Sequence, residues 1–196
     1  MRSIDRILQG WRIRKGLEYL GQGGRVIDVG AHQGELFQVL GTRLQTGFGV
    51  EPLLAAPKTT SVYVIYPGFF PEVRPADKEW DAITMLAVLE HIPRANQAAL
   101  AEACYDLLRV GGRVIITVPS HVVDHILSIL KFMRLIDGMS LEEHFGFEPT
   151  ETVRIFSSPR FRLVRHARFQ LGLNHLYVFE KEPNRAPTAR VHSSTS

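Results

Sequence analysis

Two acids and a pair of glycines are spaced as the rim of a ligand crevice requires. Asp28 stands at the end of the apolar run Val26-Ile27-Asp28-Val29, and Gly30 and Gly34 bracket the turn that follows. Without a Cβ, each glycine lets the backbone approach a ligand and lets a helix pack close on a strand. Glu51 follows a second strand-like stretch, Gly47-Phe48-Gly49-Val50, 17 residues after Gly34, and Pro52 stops that stretch. A carboxylate so placed can accept two hydroxyls on adjacent carbons, one on each oxygen, as the ribose acid of a nucleotide fold does. The simpler reading is a turn that only packs helix on strand beside a surface acid. His91, His121 and His144 lie in segments expected at the same edge, and imidazole suits proton transfer near neutral pH.

The elements that would position these groups follow from periodicity. Ile4, Ile7, Leu8 and Trp11 recur at helical spacing, so a helix is expected over residues 3–20, ended by Gly21-Gln22-Gly23-Gly24. After the glycine turn a helix is expected with Leu36, Val39, Leu40 and Leu44 on one face, with Gly41 able to end it early. Further strands are expected at Ser61–Tyr66, Trp80–Leu86 and Arg113–Pro119, and a helix over 94–109. Val122, Ile126, Ile129, Leu130 and Met133 predict an amphipathic helix to about Leu135, then a mixed loop to Thr150. Phe161–Gln170 and Asn174–Lys181 read as a hairpin. Strands alternating with helices, then an antiparallel pair, predict a single Rossmann-like, doubly wound α/β sheet. It would have seven mostly parallel strands, one of them antiparallel, and helices on both faces.

Composition narrows the classes. The 196 residues are 45% hydrophobic and 22% charged, enough for one domain with a sizeable core. No run approaches the ~20 apolar residues of a membrane span. The first residues form no apolar secretory core, and the one cysteine, Cys104, fits packing in a reducing compartment, so a cytoplasmic protein is expected. The net charge is +3, and residues 1–25 hold six basic and two acidic side chains. That excess is a solvated helix face or a contact for an anionic surface. Without a nucleic-acid motif, nucleic acid is not the expected partner. Residues 182–196, rich in Pro, Ser, Thr and Arg, read as a disordered tail.

The glycine stretch lacks the middle glycine of the dinucleotide pattern G-x-G-x-x-G, which argues against a nicotinamide enzyme. It resembles instead the first motif of class I S-adenosylmethionine-dependent methyltransferases, D-x-G-x-G-x-G, with His32 in place of the middle glycine. Gly47–Leu53, Trp80–Pro93 and Leu107–Pro119 resemble that family in order and spacing, in its small-molecule, methyltransferase type 11-like branch. A second departure is the missing acid directly after the third strand, where Glu72 is the nearest substitute.

The resemblance implies S-adenosylmethionine as cofactor, S-adenosylhomocysteine as product, and a small-molecule or lipid-linked acceptor. It implies a cofactor site of Asp28, Gly30, Ala31, His32, Gly34, Glu51, Pro52, Glu72, Leu86 and Ala87. His91 would be a general base, or would cap its loop. His121, His144 and Phe145 would line the acceptor pocket within a lid of about residues 120–150, or would only pack the lid. No metal is expected, because His121 and His125 lack an acidic partner in an H-E-x-x-H arrangement. The alternative reading is a catalytically inactive methyltransferase-like module that binds the cofactor or a protein partner.

Overall fold

A computed structural model of the chain describes residues 3–21, 24–120, 148–156 and 159–184. The elements in order are α1 (Ser3–Leu17), β1 (Gly24–Val29), α2 (Glu35–Leu40), β2 (Leu44–Glu51), β3 (Lys58–Thr59), β4 (Tyr63–Pro67) and β5 (Trp80–Leu86). Then come α3 (Arg94–Leu107), β6 (Leu108–Pro119), α4 (Glu151–Ile155), β7 (Phe161–Phe169) and β8 (Asn174–Lys181). Short 3₁₀ turns occupy Gly41–Arg43 and Leu89–His91.

The strands form one sheet in the order β3-β4-β2-β1-β5-β6-β8-β7. β4, β2, β1, β5 and β6 are parallel, β8 runs antiparallel to β6 and β7, and β3 runs antiparallel to β4. From β1 the chain winds one way through β2 and β4, and from β5 the other way through β6. The crevice at the carboxyl ends of β1 and β5 is therefore the topological switch point, where open α/β sheets hold ligands.

The expected seven strands become eight. The extra one, β3, is two residues long and carries no sequence pattern of its own; it exists because Lys58 and Thr59 pair with Ile65 and Val64. Two strands rather than one therefore run against the rest. The expected helix through Leu44 stops at Leu40, because Gly41 takes φ +52° and its N–H caps Phe37 O. Val39 is consequently exposed and Leu44 opens β2. The helix expected to Leu135, the lid apart from Ser120 and residues 148–150, and the tail from 185 lie outside the described residues.

The sheet separates two apolar layers. One packs α3 and Phe156 against Ile27, Ile83, Met85, Val114 and Ile116. The other packs Ile13 of α1 and Leu36, Phe37 and Leu40 of α2 against Val26, Ile65, Ala82 and Ile115. Alternate residues of a strand face opposite layers, so both sides of the central strands are apolar. Cys104 is wholly buried in the first layer, and burial pushes its thiol far up. Such a thiol is an inert packing group.

β2 owes its fit to glycine. A Cβ on Gly49 would lie 2.8 Å from Ala31 Cβ and 2.9 Å from Ile65 Cγ1. Both neighbours are buried, so an added methyl forces the sheet and the glycine turn apart. Gly49→Ala is expected to lower unfolding free energy by about 1–3 kcal/mol. Denaturant titration checks this through a lower midpoint at unchanged slope.

Candidate functional site

The turn after β1 is held by the end of β2. Gly30 N–H and Ala31 N–H both donate to Val50 O, at 2.8 and 3.1 Å. Gly30 takes φ +77°, and a Cβ there would sit 2.5 Å from Val88 Cγ2. Gly34 takes φ +85° before α2, with Ile65 and Tyr63 3.1–3.2 Å from any added Cβ. The Gly30 position therefore requires glycine for conformation and for space, whereas at Gly34 the left-handed φ is the requirement and the fit is merely tight.

His32 occupies the place of the missing glycine at φ +45°, a region that is costly for a side chain. Two acids compensate. Its backbone N–H donates to Glu51 Oε2 at 2.9 Å, and its ring Nδ1 lies 2.8 Å from Glu35 Oε1. A carboxylate only accepts, so Nδ1 carries the proton. Glu35 Oε2 accepts the Gln33 N–H at 3.0 Å. The imidazole is thus drawn toward α2 and does not line the cavity described below.

Glu51 is buried at the tip of β2. Its Oε2 takes the His32 N–H and its Oε1 takes the Leu53 N–H at 3.0 Å. One carboxylate thereby ties the glycine turn to the chain after β2. Each oxygen still has a second lone pair.

Asp28 is 5% exposed and lies opposite Thr84 in the register of β1 and β5. Thr84 Oγ1 donates to Asp28 Oδ1 at 2.6 Å and also approaches Ile27 O at 3.2 Å. Burial pushes the Asp28 pKa up to about 7; the Thr84 bond opposes the rise, and Glu35 and Glu51 add to it. A neighbouring cation would reverse this shift.

Asp28, Gly30, Ala31, Glu35, Leu36 and Leu86 line a small cavity whose outer wall is Gln9, Arg12 and Ile13 of α1. Its volume of about 30 Å³ suits a water or two. α1 runs back along the sheet from there. Gly16 rests on Leu86 and Ile115, and Tyr19 O accepts from Arg113 Nη1 at 3.2 Å, so the first turns of α1 stand at the carboxyl edge.

The remaining predicted site residues scatter. Leu86 joins the cavity, while Ala87 turns away from β5 at φ +60° with its N–H on Thr117 O. Pro52 and Glu72 are exposed, the latter beyond the cis Phe70–Pro71 bond. His91 is exposed at the end of its 3₁₀ turn. His121, His144 and Phe145 lie outside the described residues.

Sequence reasoning missed Thr84, Glu35, Gln9 and Arg12. Thr84 left a trace, a lone hydroxyl inside an apolar strand. The α1 residues left none, because only packing brings them to the cavity. It also missed His166 and His175, whose Nε2 and Nδ1 lie 3.0 Å apart in a stack with Tyr177. Burial, then Arg168, lowers the His166 pKa.

Comparison with known proteins adds the following. A model of the methyltransferase domain family matches residues 4–168. No curated protein matches. Among solved structures, the chain is similar to one from a Haloferax volcanii complex of a methyltransferase with its activator, at TM-score 0.68 and 13% identity, covering 94% of this chain and 95% of that one. It is similar to the N-methyltransferase NodS of Bradyrhizobium japonicum, at TM-score 0.67 and 11% identity, covering 91% and 99%. It is also similar to the magnesium protoporphyrin IX methyltransferase of Synechocystis, solved with bound S-adenosylhomocysteine, at TM-score 0.58 and 15% identity, covering 92% and 82%. At these identities the structures establish a shared fold.

Because the native state holds the Asp28 proton up to about pH 7 and the unfolded chain releases it near its ordinary value of 3.8, the native state binds more protons between those values. Asp28 therefore makes stability fall as pH rises across that window. Asp28→Asn keeps the Thr84 acceptor and removes the charge. Its stability relative to wild type is expected to rise by about 2–4 kcal/mol between pH 4 and pH 8, measured by denaturant unfolding at both. An equal difference at the two pH values would contradict the shift.

Proposed function

The chain belongs to the methyltransferase domain family, the class I S-adenosylmethionine-dependent enzymes, and from that premise we propose that it methylates a small-molecule or lipid-linked acceptor by in-line displacement. The observation that carries the site assignment is the junction at Glu51. One buried carboxylate anchors the glycine turn and keeps a free lone pair on each oxygen, which suits two ribose hydroxyls. S-adenosylmethionine bound there supplies a methyl group on a sulfonium, already a good leaving group.

The residues present fit such a cofactor. Gly30 to Gly34 give a turn whose backbone can lie close beneath it. Asp28 would face its ammonium, and that charge would hold the carboxylate ionised against burial. Leu86 and Ile13 give the crevice apolar walls. Gln9 and Arg12 close a space that now suits only water, so their flexible side chains must swing aside to admit the amino-acid end. Pro52, Ala87 and Glu72 would border the adenosine end.

With the leaving group preset, the protein's main task is alignment. Positioning alone can be worth up to ~7–11 kcal/mol in favourable cases. A base is required only where the acceptor is a hydroxyl or a protonated amine, and His91, exposed beyond β5, is the candidate. His121, His144 and Phe145 remain the candidates for the acceptor's side.

The test is transfer of labelled methyl from the cofactor into fractionated metabolite and lipid extracts. Label is expected in a discrete product. Gly30→Val puts a branched side chain against Val88 at a left-handed φ, and should cut transfer by about a hundredfold or more. Cofactor binding with no labelled product in any fraction would support the non-catalytic module instead.

A further inference from the structure

The carboxyl edge of the sheet carries exposed apolar side chains set among arginines. Ile7 and Trp11, one helical turn apart on the outer face of α1, are 56% and 49% exposed. They share a shallow groove with Arg6, Gly10 and Arg14. Of the four cations from Arg6 to Lys15, Arg6 and Arg14 line this groove, while Arg12 walls the cavity and Lys15 pairs with Glu18. The tip of the β7–β8 hairpin reaches the same place, since Gln170 Nε2 donates to Leu8 O at 3.1 Å. At that tip Leu171 is fully exposed.

Leu171 is the telling residue. It takes φ +57°, after Gln170 at +52° and before Gly172 at +84°. Folding would favour Gly or Asn at such a position and a polar group at such exposure. A leucine there costs conformational energy and buries nothing against the described residues. Strain of this kind points to function outside the fold. Arg168, three residues earlier, is exposed and adds a cation beside the tip.

We propose that this edge rests on an anionic lipid bilayer, with Trp11, Ile7 and Leu171 entering the headgroup boundary and Arg6, Arg14 and Arg168 meeting lipid phosphates. Tryptophan favours that boundary, arginine stems can lie along it, and basic charge draws the surface in. Charge complementarity selects an anionic surface. The attachment is peripheral: among the described residues no helix is long and apolar enough to cross a membrane. It would set the mouth of the Asp28 cavity at the lipid surface, because α1 supplies both the wall and the anchor. The surface is independent of the acceptor's identity, since binding is read without turnover.

Trp11 provides the readout. The only other tryptophan, Trp80, is buried in the core, so an emission shift on binding reports Trp11. Phosphatidylcholine vesicles with phosphatidylglycerol should sediment the protein and shift its emission to the blue. Vesicles without it should bind far less, and salt should release the protein. Arg6→Gln with Arg14→Gln should lower partitioning by about tenfold or more. Leu171→Ser, which changes no charge, should lower it by about tenfold. Both variants should keep the wild-type melting temperature and affinity for S-adenosylhomocysteine. No binding to anionic vesicles overturns the proposal. So does unchanged partitioning of Leu171→Ser, or binding to RNA without binding to vesicles. Loss of S-adenosylhomocysteine binding by the wild type would overturn the methyltransferase site and leave the vesicle result to be read by itself.

Discussion

The structure turns on the Glu51 carboxylate. It ends β2, it is buried, and both of its oxygens accept backbone N–H groups, one from the glycine turn and one from the chain after β2. A charge-assisted bond to a backbone amide is among the stronger ones available, and burial raises the cost of breaking it. Without it, His32 would have to hold a left-handed conformation on its ring contact with Glu35 alone. The Val50 O bonds to Gly30 and Ala31 supply the same restraint from the neighbouring residue. The turn is thus fixed before any ligand arrives, which is what alignment chemistry requires.

Around this junction the fold stacks a second acid against its own preference. Asp28 is buried and close to two other acids, so its proton is held to about pH 7 against the opposing bond from Thr84. A group kept in so unfavourable a state is commonly found where a ligand's charge will relieve it. α1 completes the enclosure with Gln9, Arg12 and Ile13. One helix therefore joins the cavity wall to the exposed Trp11 face. Events at that outer surface and access to the crevice act on the same element.

Much of this was legible in the sequence because it is local. β1 and its turn follow from an apolar run and two glycines. β5 was expected and found at Trp80–Leu86, and the β7–β8 hairpin needs only two β-rich runs about a glycine turn. Glu51 was visible as an acid at a strand tip, but its hold on His32 was not, since it spans 19 residues and depends on how β1 and β2 align. His32 read as a departure from the glycine pattern; the structure shows two acids compensating for it. Thr84 became a partner of Asp28 only through strand register. β3 is set by its pairing with β4 and has no pattern to find. The docking of α1 was invisible, because its sequence states an amphipathic helix and not the surface it lies on.

The measurement that bears most directly on this account is calorimetric titration of S-adenosylhomocysteine into the wild type and Glu51→Ala. If Glu51 both fixes the glycine turn and receives the ribose, the wild type binds with micromolar affinity and the variant shows no measurable heat. Binding of equal strength in both proteins would contradict the central role given to this carboxylate. No binding to the wild type would contradict the crevice itself.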